Sequence, residues 1–408
     1  VINELRLSPE HECIGHVLTA NGYATGYIGK WHLWANQLGR HRDPQNGFVP
    51  PGPYRLGFDA LWAAYNFNHE YYNGYYFRDT KERIEVEGFE PEAQTDLAIG
   101  FVQQAAQADK PFALFLSYGT PHDPWGADNA PDEQVEGFRD VPMPHPENYE
   151  AQNDPYADGW GRLKPFHRPQ LEAWRQVYYA QTTAMDAAIG RLVDALEKAG
   201  VADNTIVVFT SDHGEMFGAH GRRAKNIFYE EACRVPFLMR WPARMPYGAV
   251  SDACLATPDI MPTLLGLMGL PIPDAAEGTN LAHCALGESG AEPEAALLQN
   301  TGACAAWKDG FEWRALRGKR YTYAIYRKDA KELLFDNVDD PCQMHNLAGH
   351  EKHRETLGRF RALLKRRMDD LGDTFPASTW YREHWIEDRV ILRGAKGGSH
   401  DLAQMNAI

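Results

Sequence analysis

The 408-residue chain has no run of eighteen apolar residues, so the sequence contains no membrane-spanning helix. It has little cysteine: six residues (Cys13, Cys233, Cys254, Cys284, Cys304 and Cys342), scattered, with no CxxC pair and no zinc-finger spacing. That excludes a classical zinc module and decides nothing about a redox compartment. It has no excess of positive charge. A net charge of -15 argues against a general nucleic-acid binder, while leaving room for an anionic small substrate in a local basic pocket. There are no internal repeats. The chain starts at Val1 with no initiator methionine and no signal peptide, so targeting is not legible.

What is present alternates between two periods. "SPEHECIGHVLTANG" predicts a helix with Ser8 as N-cap, Pro9 at its first position and Gly22 at its end. "YATGYIGK" follows as a strand. "PEAQTDLAIGFVQQAAQ" predicts an amphipathic helix with Leu97, Phe101, Val102 and Ala105 on one face, leading into the apolar strand "FALFLSYG". A long helical pattern from Pro169 to Ala199 precedes the strand "NTIVVFT", and "VPFLMRWP" is a further strand. Helix, short loop and buried strand thus recur, which predicts an α/β fold with a mostly parallel sheet flanked by helices. The stretch from Pro121 to Pro169 reads as a long functional loop. After about residue 294 the pattern changes. "WRALRGKRYTYAIY" predicts an antiparallel hairpin, "KELLFDN" a further strand, and "HEKHRETLGRFRALLKRRMDDLG" an amphipathic helix. The expected division is a catalytic domain over 1–293, a small α+β unit over 294–385 and a tail over 386–408.

Three polar clusters follow strands, at the sheet edge where open α/β proteins bind ligands. Asp212 and His213, in "FTSDHGEMFGAHGRRAK", pair an anionic oxygen with an imidazole, a donor set that suits a divalent cation. Gly214 lets backbone approach closely, Lys225 supplies a nearby cation, Glu215 is either solvated or a partner to a ligand, and His220 reads as structural. Lys30 and His32, two apart in "GYIGKWHL", face one side of an extended segment and suit an oxyanion. His122, in "SYGTPHDPW", sits between two prolines and is a candidate acid or oxyanion donor. Together these groups form a receptor for a tetrahedral anion. The run "WAAYNFNHEYYNGYYFRD" gathers Trp62, Tyr65, His69, Tyr71, Tyr72 and Arg78, which suit packing or a sugar platform. Arg78, Trp125 and Arg168 are further substrate candidates.

The motifs "GYATGYIGKWHL", "SYGTPHDPW", "DNTIVVFTSDHGEMFGAHG" with its following lysine, and "YEEACRVPFLMRWP", in this order, resemble the sulfatase branch of the alkaline phosphatase superfamily. "WRALRGKRYTYAIY" and "LLFDNVDDPCQMHNL" resemble that family's small C-terminal domain. The resemblance implies an alkaline-phosphatase-like fold and a metal-dependent sulfuric ester hydrolase of the arylsulfatase type. Lys30, His122 and Lys225 would contact the sulfate, His32 would support the nucleophile, and Asp212 and His213 would ligate the metal. That metal is Ca²⁺ by family habit, with Mn²⁺, Mg²⁺ or Zn²⁺ open because an imidazole joins the site. The implied substrate is a small-molecule or saccharide sulfate ester, and the implied compartment is the periplasm or the cell exterior.

Two departures shape the expectation. His213 stands where sulfatases commonly carry Asn and where phosphonate monoester and phosphodiester hydrolases often carry His. The family nucleophile, a Cys or Ser in Cys/Ser-x-Pro-x-Arg converted to formylglycine, has no counterpart here, and neither does the pair of metal-binding Asp residues that precedes it. Cys13 is followed by "IGHV". The sequence therefore reads as an N-terminally truncated sulfatase, inactive as it stands. The alternatives are a phosphonate monoester or phosphodiester hydrolase, or a non-catalytic anion-binding fragment.

Overall fold

The computed structural model describes residues 5–34, 43–149, 151, 156–304, 306–387 and 390–391. Its elements in chain order are β1 (Arg6–Leu7), α1 (Ile14–Ala20), β2 (Ala24–Lys30), β3 (Leu61–Tyr65), α2 (Glu90–Ala105), β4 (Phe112–Ser117), α3 (Leu171–Lys198), β5 (Val207–Thr210), β6 (Phe237–Arg240) and α4 (Thr257–Met268). A four-stranded meander follows, β7 (Ala295–Asn300), β8 (Trp313–Gly318), β9 (Tyr321–Tyr326) and β10 (Glu332–Asp336), then α5 (Arg354–Asp370), β11 (Ile386–Glu387) and β12 (Val390–Ile391).

The parallel sheet has the order β3-β2-β4, with Gly26 opposite Leu61 and Gly29 opposite Ser117. Gly29 has φ 97, and a Cβ there would lie 2.1 Å from the Ser117 carbonyl oxygen. Only glycine lets the strand turn out so close to its neighbour and aim Lys30 away from it. Helix α2 buries Phe101, Val102 and Ala105, as its spacing predicts, while Leu97 is half-buried and Ala98 takes the buried position beside it. Strands β5 and β6 form a separate antiparallel pair, Val207 opposite Arg240. The parallel expectation therefore holds for β2, β3 and β4 and fails for β6. Between β5 and β6 there is a four-residue helix, Glu230–Cys233, rather than the long crossover helix of a parallel return.

Two strands are unusual. Among the described residues β4 pairs with β2 alone and β5 with β6 alone. All six residues of β4, five of them apolar, are only half-buried, and so are Val207, Val208 and Phe209 of β5. Both strands begin at one apolar cluster: Phe112 and Val207 pack against Val102, Leu196 and Ala202.

The meander has the order β10-β9-β8-β7 and is buried on both faces. On one face Leu316, Tyr323 and Leu334 pack against Leu357, Phe360, Leu363 and Leu364 of α5. On the other, Trp313, Ala315, Tyr326 and Phe335 pack against Met216, Ile227, Phe228 and Tyr229. The opening of the expected tail is ordered: β11 pairs with β12, and β12 runs parallel to β1. Residues 392–408 lie outside the described residues. No helix among the described residues is long and apolar enough to cross a membrane.

Candidate active site

Lys30 ends β2 opposite Tyr65, and its ammonium lies 5.7 Å from the Phe67 ring centroid. Burial lowers its pKa, the Asp212 carboxylate opposes this, and the Lys225 charge adds to it. His32 follows with φ 53, a conformation rare outside glycine and often kept at functional sites. Its ring meets the edge of Phe67 at 5.5 Å, and burial, then Lys30, push its pKa down to about 4.

His122 follows β4, between two cis prolyl bonds. Its Nδ1 lies 2.7 Å from Asp123 Oδ1, and Lys225 Nζ lies 2.7 Å from its Nε2. The geometry is that of a ring whose Nδ1–H donates to a carboxylate and whose Nε2 accepts from an ammonium. Burial alone would raise the Asp123 pKa, but the His122 hydrogen bond and then the charges of His122 and Arg223 hold it at about 2. Arg223 Nη2 reaches Asp123 Oδ2 at 3.4 Å. Below the loop, the Tyr71 hydroxyl donates to the carbonyls of Gly119 (2.7 Å) and His122 (2.9 Å). His69 stacks on His122 with centroids 4.1 Å apart and planes 5° from parallel.

Asp212 and His213 follow β5. The His213 ring lies 5.9 Å from that of His122. His213 Nδ1–H donates to Gly214 O at 2.9 Å, which leaves Nε2 as the free lone pair, 3.3 Å from Asp212 Oδ2. Burial, then the Lys225 charge, press its pKa down to about 4, so at neutral pH the ring is uncharged. Burial would raise Asp212, but His213, Lys30 and Lys225 outweigh it and lower its pKa. Gly214 earns its place against backbone, not ligand: a Cβ there would lie 2.0 Å from Glu231 O.

Lys225 is presented by a tightly coiled loop in which Phe217, His220, Ala224 and Asn226 all have positive φ. Glu215 is half-buried and accepts the Ala224 and Phe217 backbone N–H groups, next to Lys225. His220 is structural, as expected: it is fully buried, stacked on Tyr229 at 3.7 Å and 3.1 Å from Asn148 Nδ2.

The structure thus brings Lys30, His32, His122, Asp212, His213 and Lys225 together beyond the ends of three strands, β2, β4 and β5. It does not bring Arg78 there. Arg78 is exposed, with its guanidinium over Tyr76 and its carbonyl bound by Arg55. Trp62, Tyr65 and Trp125 are core residues: Trp62 packs with Trp31, Tyr65 donates to Glu90, and Trp125 donates to Pro121 O. Exposed Arg168 lies in the last turn of a 3₁₀ helix over Pro165–Gln170. Asp123, Arg223 and Trp160, whose ring centroid lies 5.0 Å from Lys225 Nζ, are the members the sequence reading missed. Of these, Asp123 alone had a local signal, its adjacency to His122.

Among the described residues no three His, Cys, Asp or Glu side chains converge as a metal site. Asp212 and His213 supply two ligating side chains, against about four for zinc and roughly 6–8 oxygens for Ca²⁺. The described residues therefore fit only part of a metal site.

Two lysines, three histidines and one aspartate thus meet at the C-terminal edge of an α/β fold of the alkaline phosphatase type. The chain belongs to the sulfatase family: the Sulfatase model matches residues 6–270, and the model of the N-sulphoglucosamine sulphohydrolase C-terminal region matches 218–371. It is 33% identical to the ulvan-active sulfatase of Formosa agariphila over 93% of this chain and 70% of that one. It is 30% identical to the endo-4-O-sulfatase of Bacteroides thetaiotaomicron, over 94% and 77%. A solved Bacteroides thetaiotaomicron protein from work on the metabolism of multiple glycosaminoglycans superposes with a TM-score of 0.77 at 26% identity, covering 94% of this chain and 80% of the other.

Proposed function

We propose that this chain is the larger part of a saccharide sulfate ester hydrolase whose site is completed by one further β-strand seated between β4 and β5. The observation that carries the reading is the pair of half-buried apolar strands. They leave one cluster, are each followed by residues of the site, and each pair on one side alone among the described residues. An apolar strand left with an open edge is costly and sticky, and a paired strand removes both problems. The inserted strand would end beside Asp212 and His213, where it would add the missing ligands of a divalent metal, Ca²⁺ by family habit. It would also bring the nucleophile, the formylglycine of the family.

The roles of the residues present follow from their charges and contacts. Lys30 and Lys225 hold the sulfuryl oxygens, whose negative charge grows in the transition state. His32, held neutral by burial and by Lys30, orients the nucleophile. His122 assists departure of the alcohol from its Nε2 side. The Asp123 carboxylate, ionised down to about pH 2, supports the imidazolium that this requires. The family resemblance extends the reading to a periplasmic or extracellular enzyme.

The test is turnover of an aryl sulfate, with Ca²⁺ or Mn²⁺ present, in a host that makes formylglycine. The 408-residue chain is compared with a version carrying the coding sequence upstream of Val1 in its gene. The expected result is activity in the second only. Equal rates would place the nucleophile among residues set aside here. Matched sulfate and phosphate esters separate a sulfatase from a phosphonate monoester or phosphodiester hydrolase, the reaction that His213 favours.

A further inference from the structure

The run Gly159–Leu171, "GWGRLKPFHRPQL", holds Arg162, Lys164, His167 and Arg168 and no Asp or Glu, within a chain of net charge -15. It is bolted alongside the loop that presents Lys225. Arg162 and Arg222 form a bridge, Leu163 N–H donates to Gly221 O, and Arg223 N–H donates to Gly161 O, each at 3.0 Å. This junction puts two side chains next to the anion cluster. Trp160 lies against the Lys225 ammonium, and Arg223 is separated from His122 by the Asp123 carboxylate alone.

Arg223 makes loose contacts where it stands: its guanidinium lies 5.9 Å from the Trp174 ring centroid and reaches one carboxylate oxygen at 3.4 Å. Asp123 is committed first to His122 at 2.7 Å, and the Arg223 contact to it is one long interaction at 3.4 Å rather than a paired fork. Its Nε is buried without a partner, while its side chain keeps 18% exposure. A guanidinium offers five donors in a plane that matches carboxylate or sulfate oxygens two at a time. A purely structural arginine beside a carboxylate would take that geometry, and Arg223 does not.

We propose that Arg223 and Trp160 form a second anion subsite beside the sulfate position. It accepts a carboxylate or a further sulfate carried by the same sugar ring or its neighbour, while the indole packs on the ring. This rests on the sulfatase reading and narrows its substrate to polyanionic saccharides. Asp123 keeps the guanidinium in place when the subsite is empty, and the incoming anion takes the donors that Asp123 leaves unused.

The test measures binding and needs no turnover. The full chain is titrated with four probes: inorganic sulfate, a methyl glucuronoside 2-O-sulfate, the monoanionic methyl ester of that sugar, which keeps the sulfate and loses the carboxylate charge, and the corresponding disulfated glucoside. Wild type is expected to bind the two dianionic sugars about 10-fold tighter than the ester, the scale of one charge-assisted contact. Whichever dianion binds more tightly identifies the preferred group. Arg223→Gln should erase that preference and leave affinity for inorganic sulfate within about 3-fold, as one neutralised neighbour allows. Trp160→Ala should weaken all three sugars more than it weakens inorganic sulfate, because the indole that would pack on the sugar ring also lies against Lys225. Equal binding of ester and dianions by wild type overturns the subsite. So does an Arg223→Gln variant that loses all probes alike, which would make Arg223 a support for Asp123 and His122. Sulfate binding that is unmoved by Lys225→Gln would overturn the sulfatase reading itself, and the subsite with it.

Discussion

The four-stranded meander and the β4 edge of the parallel sheet are both apolar and differently finished. In the meander, Ala315, Leu316, Ala324, Leu334 and Phe335 are essentially solvent-free, covered by α5 on one face and by the Lys225 loop on the other. In β4, "FALFLS", no residue is fully buried. The difference lies in pairing and cover, not in composition. The finished sheet is the rigid block that holds Lys225 in place. The open edges, β4 and β5, are the ones followed in the chain by His122 and by Asp212 and His213.

The largest effect should come from the finished side. Arg314 is solvent-free and bound through two nitrogens to Asp373, with Nη2 also donating to Tyr381. Arg314→Ala strands a buried carboxylate and should cost about 3–5 kcal/mol in urea denaturation. An effect below about 1 kcal/mol would mean that this block is not the stable one.

Next is Lys225→Ala in the strand-completed enzyme. It should lower turnover about 10²–10³-fold, the usual cost of one preorganised charge donor. Lys225→Arg should rescue it poorly, since a planar fork replaces a compact ammonium. Near wild-type turnover would reduce Lys225 to a surface charge.

A matched pair sharpens the comparison itself. Leu334→Ala, at 0% exposure, should cost about 3 kcal/mol, and Leu116→Ala on half-buried β4 about 1 kcal/mol. If the two cost the same in thermal or urea unfolding, β4 is as well covered as the meander.

The smallest effect is one of pH. The Asp123 pKa lies below its unfolded value, so its contribution is fully present above about pH 4 and is lost as pH falls toward about 2. Asp123 is partly exposed, so solvent screening keeps the contribution below about 1 kcal/mol. Asp123→Asn should therefore be slightly less stable than wild type at pH 7, with the gap closing as pH falls through that window.

Much of this was legible in the sequence. The strands ending at Lys30, before His122 and before Asp212 are short apolar runs followed at once by polar groups, so local pattern sufficed. The spatial partners were not. Asp123, Arg223 and Trp160 meet only because the run around Gly161 bridges Arg222, a pairing with no periodic signal. The first helix begins at Ile14, not after Ser8, because His16 Nδ1 takes the Cys13 N–H and closes the helix there, while Ser8 makes its own turn with Glu10. Strand β7, "AALLQN", was not anticipated because its Ala and Leu residues favour helix, and β8 holds it in the sheet along its whole length.

The most direct measurement is amide hydrogen exchange on the 408-residue chain, read separately on β4 and β5 and on β8 and β9. We predict that the β4 amides not bonded to β2, and the β5 amides not bonded to β6, exchange with little protection. The amides of β8 and β9 should exchange only at the rate of global unfolding. Adding the completing strand should slow the first group to the level of the second. Protection in β4 and β5 already equal to that of β8 and β9 would contradict the account, because no open edge would then remain for a strand to fill.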